Sequence, residues 1–171
     1  MSVLNVKLYP DDPLTQVADP IDTIGSDIRR LAKNMFDTME AEEGVGLAGP
    51  QVGVSKRIFV LREPEGEEMC LINPEIVEAE GREEGEEGCL SLPKIYAPVN
   101  RATRIRVRAK NLDGEGLDFE ATDFLARIIQ HELDHLNGVI FLDRVDILTR
   151  QMKLAEWDEV RNRVTAQAGR G

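Results

Sequence analysis

Two histidines four residues apart, His131 and His135, constrain this chain more than any other feature. On a helix they stack on one face, so both imidazoles can reach a single metal ion. Glu132 points about 100° further round the helix, close enough to touch a water on that ion without being obliged to ligate it. This is the H-E-x-x-H pattern of zinc hydrolases. The chain has only two histidines, both here, and helix propensity gives no reason to prefer them in a helix interior. The stretch Gln130-His131-Glu132-Leu133-Asp134-His135 therefore asks for a central helix, with the rest of the chain as scaffold and second wall of a metal site.

With 171 residues, 42% of them hydrophobic, the chain has the size and apolar content of one domain with a real core, and a single domain over residues 1–171 is expected. Its net charge of −11 argues against DNA or an acidic membrane surface as partner, because both would repel most of this surface. The opening residues Met1 to Val6 lack a basic, apolar leader, and no stretch approaches a membrane span, so the expected location is cytoplasmic. Cys70 and Cys89 have no need to pair in such a compartment, which leaves a thiol for other work.

Apolar residues at Ile28, Leu31, Ala32, Met35, Phe36 and Met39 mark one stripe of a helix over residues 26–43, with Ser26 as N-cap and Gly44 as C′. Before it, the proline-rich stretch from Lys7 to Pro20 reads as a wrapping arm without chemistry. Residues 57–62, 69–73 and 104–109 read as strands, and Leu117, Phe119 and Ala121 as another, joined to its predecessor by a hairpin turn at Asn111–Gly114. Arg104, Arg106 and Arg108 alternate with apolar residues and form a solvated face. The metal helix is expected over residues 123–137, burying Phe124, Leu125, Ile128, Ile129, Leu133 and Leu136, with Gly138 as C′. A last helix over residues 149–166 is expected to pack on the outside.

Two further stretches bear on chemistry. Residues 44–53 hold four glycines and a proline, a loop in which backbone can approach a ligand, and Gln51 offers a neutral amide to a developing oxyanion. Residues 78–87 hold six glutamates and read as a solvated loop, Glu87 excepted. Two histidines need at least one more protein ligand to hold a catalytic metal. The candidates are Cys89, Cys70 or a carboxylate. Cys89 is favoured because Gly88 and the loop-like Leu90-Ser91-Leu92-Pro93 leave its backbone accessible, whereas Cys70 lies inside an apolar strand.

Together Gly44-Val45-Gly46-Leu47-Ala48-Gly49-Pro50-Gln51, Glu87-Gly88-Cys89-Leu90-Ser91 and Gln130-His131-Glu132-Leu133-Asp134-His135 resemble, in order, the three motifs of bacterial peptide deformylases. The resemblance implies an α+β fold, with mixed, mainly antiparallel sheets around a central metal-binding helix and a helix towards each terminus. It implies hydrolysis of the N-formyl group from the formyl-methionine of nascent polypeptides, releasing formate. By the same resemblance Cys89, His131 and His135 are metal ligands, Glu132 is general base and acid, and Gln51 with the Leu90 N–H are oxyanion donors. It assigns the methionine pocket to Val45, Phe124, Ile128 and the stem of Arg127, with Gly46, Glu87 and Gly88 alongside. The implied ion is Fe2+, with Zn2+, Ni2+ or Co2+ able to substitute, and the implied partners are a formyl-methionyl peptide and, weakly, the ribosome through the C-terminal helix. Gly49, Gly85 and Tyr96 depart from the commonest family residues, on the substrate side rather than in the chemistry.

Two rival readings compete. H-E-x-x-H alone favours a zinc endopeptidase, against which a Cys ligand argues. A structural metal module would need a fourth ligand, for which only the distant Cys70 is left.

Overall fold

The computed structural model describes residues 2–168, with side chains described through Val164. Its elements run α1 (Ser26–Ala41), β1 (Gly46–Ala48), β2 (Ile58–Arg62), β3 (Glu68–Glu80), β4 (Glu83–Cys89), β5 (Leu92–Arg101), β6 (Arg104–Lys110), β7 (Gly116–Thr122), α2 (Asp123–Leu136) and α3 (Ile147–Ala168). Five strands form one antiparallel sheet in the order β1-β2-β3-β6-β7, and β4 and β5 form a separate antiparallel hairpin.

Strand β2 shows how the layers form. Its four apolar residues are all buried, Phe59 and Leu61 against one cluster and Ile58 and Val60 against another. Alternate residues of a strand point to opposite faces. On the first face α2 packs Ala126, Ile129 and Leu136, and on the second α1 packs Ile28, Ala32, Met35 and Met39. The α1 stripe is thus the expected one. The hairpin closes the other side of α2, and its Leu92, Ile95, Ala97 and Val99 are covered by residues 140–142 and by Trp157 of α3. Helix α2 therefore lies between two β layers, one face of it committed to apolar packing and the other free to carry polar groups.

Several local expectations need correction. Gly25, not Ser26, caps α1, and the left-handed residue after it is Glu43 (φ 56°), not Gly44. Residues 44–53 form the short edge strand β1 and a 3-10 turn over Gly49–Val52, not a plain loop. The glutamate run is strand, not loop. Glu78 and Glu80 lie opposite Arg106 and Arg104 across β3 and β6, so opposite charges support the pairing. Residues 92–101 form β5, and β3 continues seven residues beyond the expected Asn73. Phe124, expected in the core, is 48% exposed, and α3 starts at Ile147, two residues early. The arm does wrap: Lys7 N–H donates to Gln51 O, Tyr9 N–H to Ser91 O, and the Trp157 indole to Tyr9 O. Gly138 (φ 73°) ends α2 as expected, and no described helix is long and apolar enough to cross a membrane.

Candidate metal centre and reaction cleft

The polar face of α2 meets the end of β4. There Cys89, His131 and His135 each present a potential donor atom, all within 4.8 Å of one another, and the Cys89 Sγ lies 3.3 Å from His135 Nε2. A tetrahedral ion with ligand bonds near 2.0–2.3 Å sets its donors roughly 3.3–3.8 Å apart, so one thiolate and two imidazoles fit a divalent metal and leave a fourth position open. Cys70 stands apart in β3, where burial pushes its thiol up to about 12.

Each donor is held by its element. His131 Nδ1 lies 2.8 Å from Glu87 Oε1, and Phe141 stacks on the same ring. Fixing the far nitrogen of a ligating histidine sets its tautomer and direction. Glu87 is itself fixed by the Nε and Nη2 of Arg101, at 2.9 Å each, and by Arg127 at 2.7 Å. Arg101 also meets Asp134 at 2.6 Å, and Asp134 binds Arg144 at 2.8 Å. Burial would raise the Glu87 carboxyl, but the hydrogen bonds and charges of Arg101 and His131 outweigh it and hold the group down at about 2. Burial likewise opposes the charge on His131, yet Cys89 and Glu87 lift it well above the usual histidine value; burial and the charges of His131 and Arg101 drive His135 well below it.

Glu132 has the opposite surroundings. It is buried, its Oε1 has no hydrogen-bond partner, and burial raises it to about 7 in the absence of a cation. Gly46 of β1 lies directly against it: a Cβ there would come within 2.5 Å of Glu132 Oε2. The only side chain that lets this strand lie over the carboxylate is a hydrogen. Gln51 is equally buried, and its Oε1 accepts from Ala48 N–H at 2.9 Å. That bond turns Nε2 towards the donor cluster, 3.2 Å from Ser91 Oγ and 3.6 Å from Cys89 Sγ.

These groups open onto a cleft of about 530 Å³. Of the residues singled out in the sequence, Val45, Gly46, Gln51, Glu87, Gly88, Cys89 and Leu90 line its β walls, and Phe124, Arg127, Ile128, His131 and Glu132 its helical wall. His135 lies behind them, fully enclosed. Glu87 borders the cleft but spends its carboxylate on His131 and two arginines. Arg101, Asp134 and Arg144 were missed by sequence reasoning. Arg101 carried a readable signal, since it falls on the same parity of β5 as buried Ala97 and Val99.

The polypeptide deformylase family model matches residues 3–151. A peptide deformylase of Acidobacterium capsulatum is 44% identical over 158 residues, which cover 90% of this chain and 93% of that one. Among solved structures, a peptide deformylase from Legionella pneumophila superposes with a TM-score of 0.91 at 38% identity, covering 96% of this chain and 98% of that one. The peptide deformylase of Thermus thermophilus gives 0.90 at 41%, covering 97% and 99%. The fold, the three-donor cluster and these likenesses agree: the chain belongs to the polypeptide deformylase family of metal-dependent hydrolases that remove the N-formyl group from nascent polypeptides.

Proposed function

We propose that, in the deformylation this chain catalyses, Cys89, His131 and His135 hold the divalent metal, Glu132 carries the proton, and Gln51 with the Leu90 N–H receives the charge that builds on the formyl oxygen. The observation that carries this division is the pairing of three clustered donors with a buried carboxylate whose Oε1 is unpartnered. When bound, the ion supplies Lewis acidity and brings a water's pKa towards about 7. Glu132 takes the proton of the attacking water, and the Gln51 amide, turned by Ala48, donates to the oxyanion. The carbon–nitrogen bond then breaks, Glu132 returns the proton to the leaving amine, and formate departs. The apolar side of the cleft, with Val45, Phe124, Ile128 and the Arg127 stem, takes the methionine side chain, while Gly46 and Gly88 border the peptide.

Residues 1–171 act in this reading as one catalytic domain in the cytoplasm, where nascent chains arise. The working ion is Fe2+, as the family likeness implies, although one thiolate and two imidazoles also suit zinc. The iron form then loses activity in air as metal and thiolate oxidise, while the zinc form is stable and slower. The last stretch from Ile147 carries +2 against −13 for the remainder, which supports a weak, salt-sensitive ribosome contact. Because Trp157 is built into the core, charge substitution at exposed Arg163 tests that contact better than deletion of the helix; unchanged salt-sensitive binding would refute it. The activity itself is tested by formate release from an N-formyl-methionyl peptide with and without chelator. Release abolished by chelator and restored by metal is expected. Cleavage only of unformylated blocked peptides would favour an endopeptidase.

A further inference from the structure

Arg127 is more than a wall of the cleft. Its stem borders the reaction cleft, and with Phe124 it also borders a second cavity of about 310 Å³, whose other walls include Glu83, Glu84 and Asp123. Its guanidinium sits at the junction of the two, donating to Glu87 Oε2 at 2.7 Å, Glu83 O at 2.8 Å and Val99 O at 2.9 Å, with Gly85 O at 3.5 Å. Four acceptors from both strands of the hairpin thus define a built guanidinium site. Gly85 makes it possible: a Cβ there would lie 2.9 Å from the Arg127 Cζ.

We propose that Arg127 is a specificity-determining residue, filling this site from the protein's own side and so closing the side-chain pocket where it adjoins the second cavity. The inference rests on the assignment of the methionine side chain to the Phe124, Arg127 and Ile128 wall. On this account the guanidinium, pinned by its acceptors, stands in the way of a first side chain long enough to reach the junction of the two cavities. Truncation of Arg127 has two consequences. It joins the two cavities, and it leaves Glu87 and three carbonyls facing the space where a guanidinium had been. A substrate whose first side chain is long and guanidinium-tipped then supplies the missing group, and the site that rejected it becomes the site that binds it. Bidentate Arg101 still holds Glu87, so the histidine it orients keeps its partner.

The test compares kcat/KM for an N-formyl-homoarginyl peptide with that for the N-formyl-methionyl peptide of the same sequence, on one preparation of metal-loaded enzyme. The ratio cancels any loss of metal or of folded protein, which a merely structural role would produce. In Arg127→Ala the ratio is expected to rise at least tenfold, in the range that differences in pocket contacts supply. Arg127→Met, which keeps an unbranched stem but removes the guanidinium from its acceptors, is expected to raise the same ratio less, and it serves if Arg127→Ala does not fold. An unchanged ratio in whichever variants fold overturns the proposal. Failure of the wild type to release formate from the methionyl peptide would overturn the deformylase reading instead.

Discussion

Two buried glutamates face His131 from opposite sides of the cleft, and their surroundings could hardly differ more. On the hairpin side Glu87 accepts from Arg101, Arg127 and His131 and is held ionised at about 2. On the helix side Glu132 lies under the bare backbone of Gly46, with Oε1 unpartnered, and is lifted to about 7. A carboxylate saturated with donors cannot exchange protons near neutrality and can only orient; one left without donors is poised to exchange them. On the proposed division of roles, identical side chains take the structural and the chemical half of one task, and the difference lies in where the arginines stand.

The largest effect should come from removing the group that makes the two sides unequal. Arg101→Leu leaves Glu87 and Asp134 as under-compensated buried charges, and a loss of about 3–5 kcal/mol in denaturant unfolding is expected. A loss below about 1 kcal/mol would mean the network adds nothing to the fold.

Glu87→Gln comes next. It replaces the anionic partner of the His131 far nitrogen with a neutral amide, and metal affinity should fall roughly 10- to 100-fold in chelator competition. Its acid behaviour sharpens the comparison. A carboxyl depressed to about 2 contributes stability that is complete above the unfolded value near 4.3 and is lost as pH falls towards 2. Unfolding curves between those values should therefore flatten in the variant.

The metal-free protein should show the reverse sign for Glu132. Because its carboxyl is raised to about 7, ionisation is disfavoured in the fold, so stability should decline as pH rises from about 4.5 through 7. Urea unfolding in chelator, compared with Glu132→Gln, reads this directly; an identical pH slope in both would place the carboxylate in a solvated setting.

The smallest effect belongs to the exposed ladder on the sheet. Arg106, 2.8 Å from Asp118, makes the same type of ion pair as Arg101 but in water. Arg106→Ala should barely move the denaturation midpoint, and high salt should erase even that difference.

Sequence alone was most informative where a period was long and uninterrupted. The stripe of α1 and the i, i+4 histidines of α2 placed both helices and the metal face. It failed where pairing across distant strands overrode local composition. Glu78 and Glu80 stay solvated but read as loop until Arg106 and Arg104 are set opposite them, and that register depends on residues more than twenty positions away. In β5 the alternation of Ile95, Ala97 and Val99 was present, but Pro93 and Pro98 obscured it, and Arg101 was lost with it. Phe124 was read as core because its spacing is helical, yet it lies where α2 meets two cavities rather than a β layer.

The central claim, that Glu132 moves the proton and does not bind the metal, is tested most directly by metal analysis and turnover of purified Glu132→Gln. Gln has similar helix propensity, and all three donors remain. The account predicts full metal content with kcat reduced roughly 10²- to 10⁴-fold and peptide binding little changed, whereas Cys89→Ala or His131→Ala should lose metal. A metal-free Glu132→Gln would make the glutamate a ligand, and wild-type turnover would remove it from the mechanism.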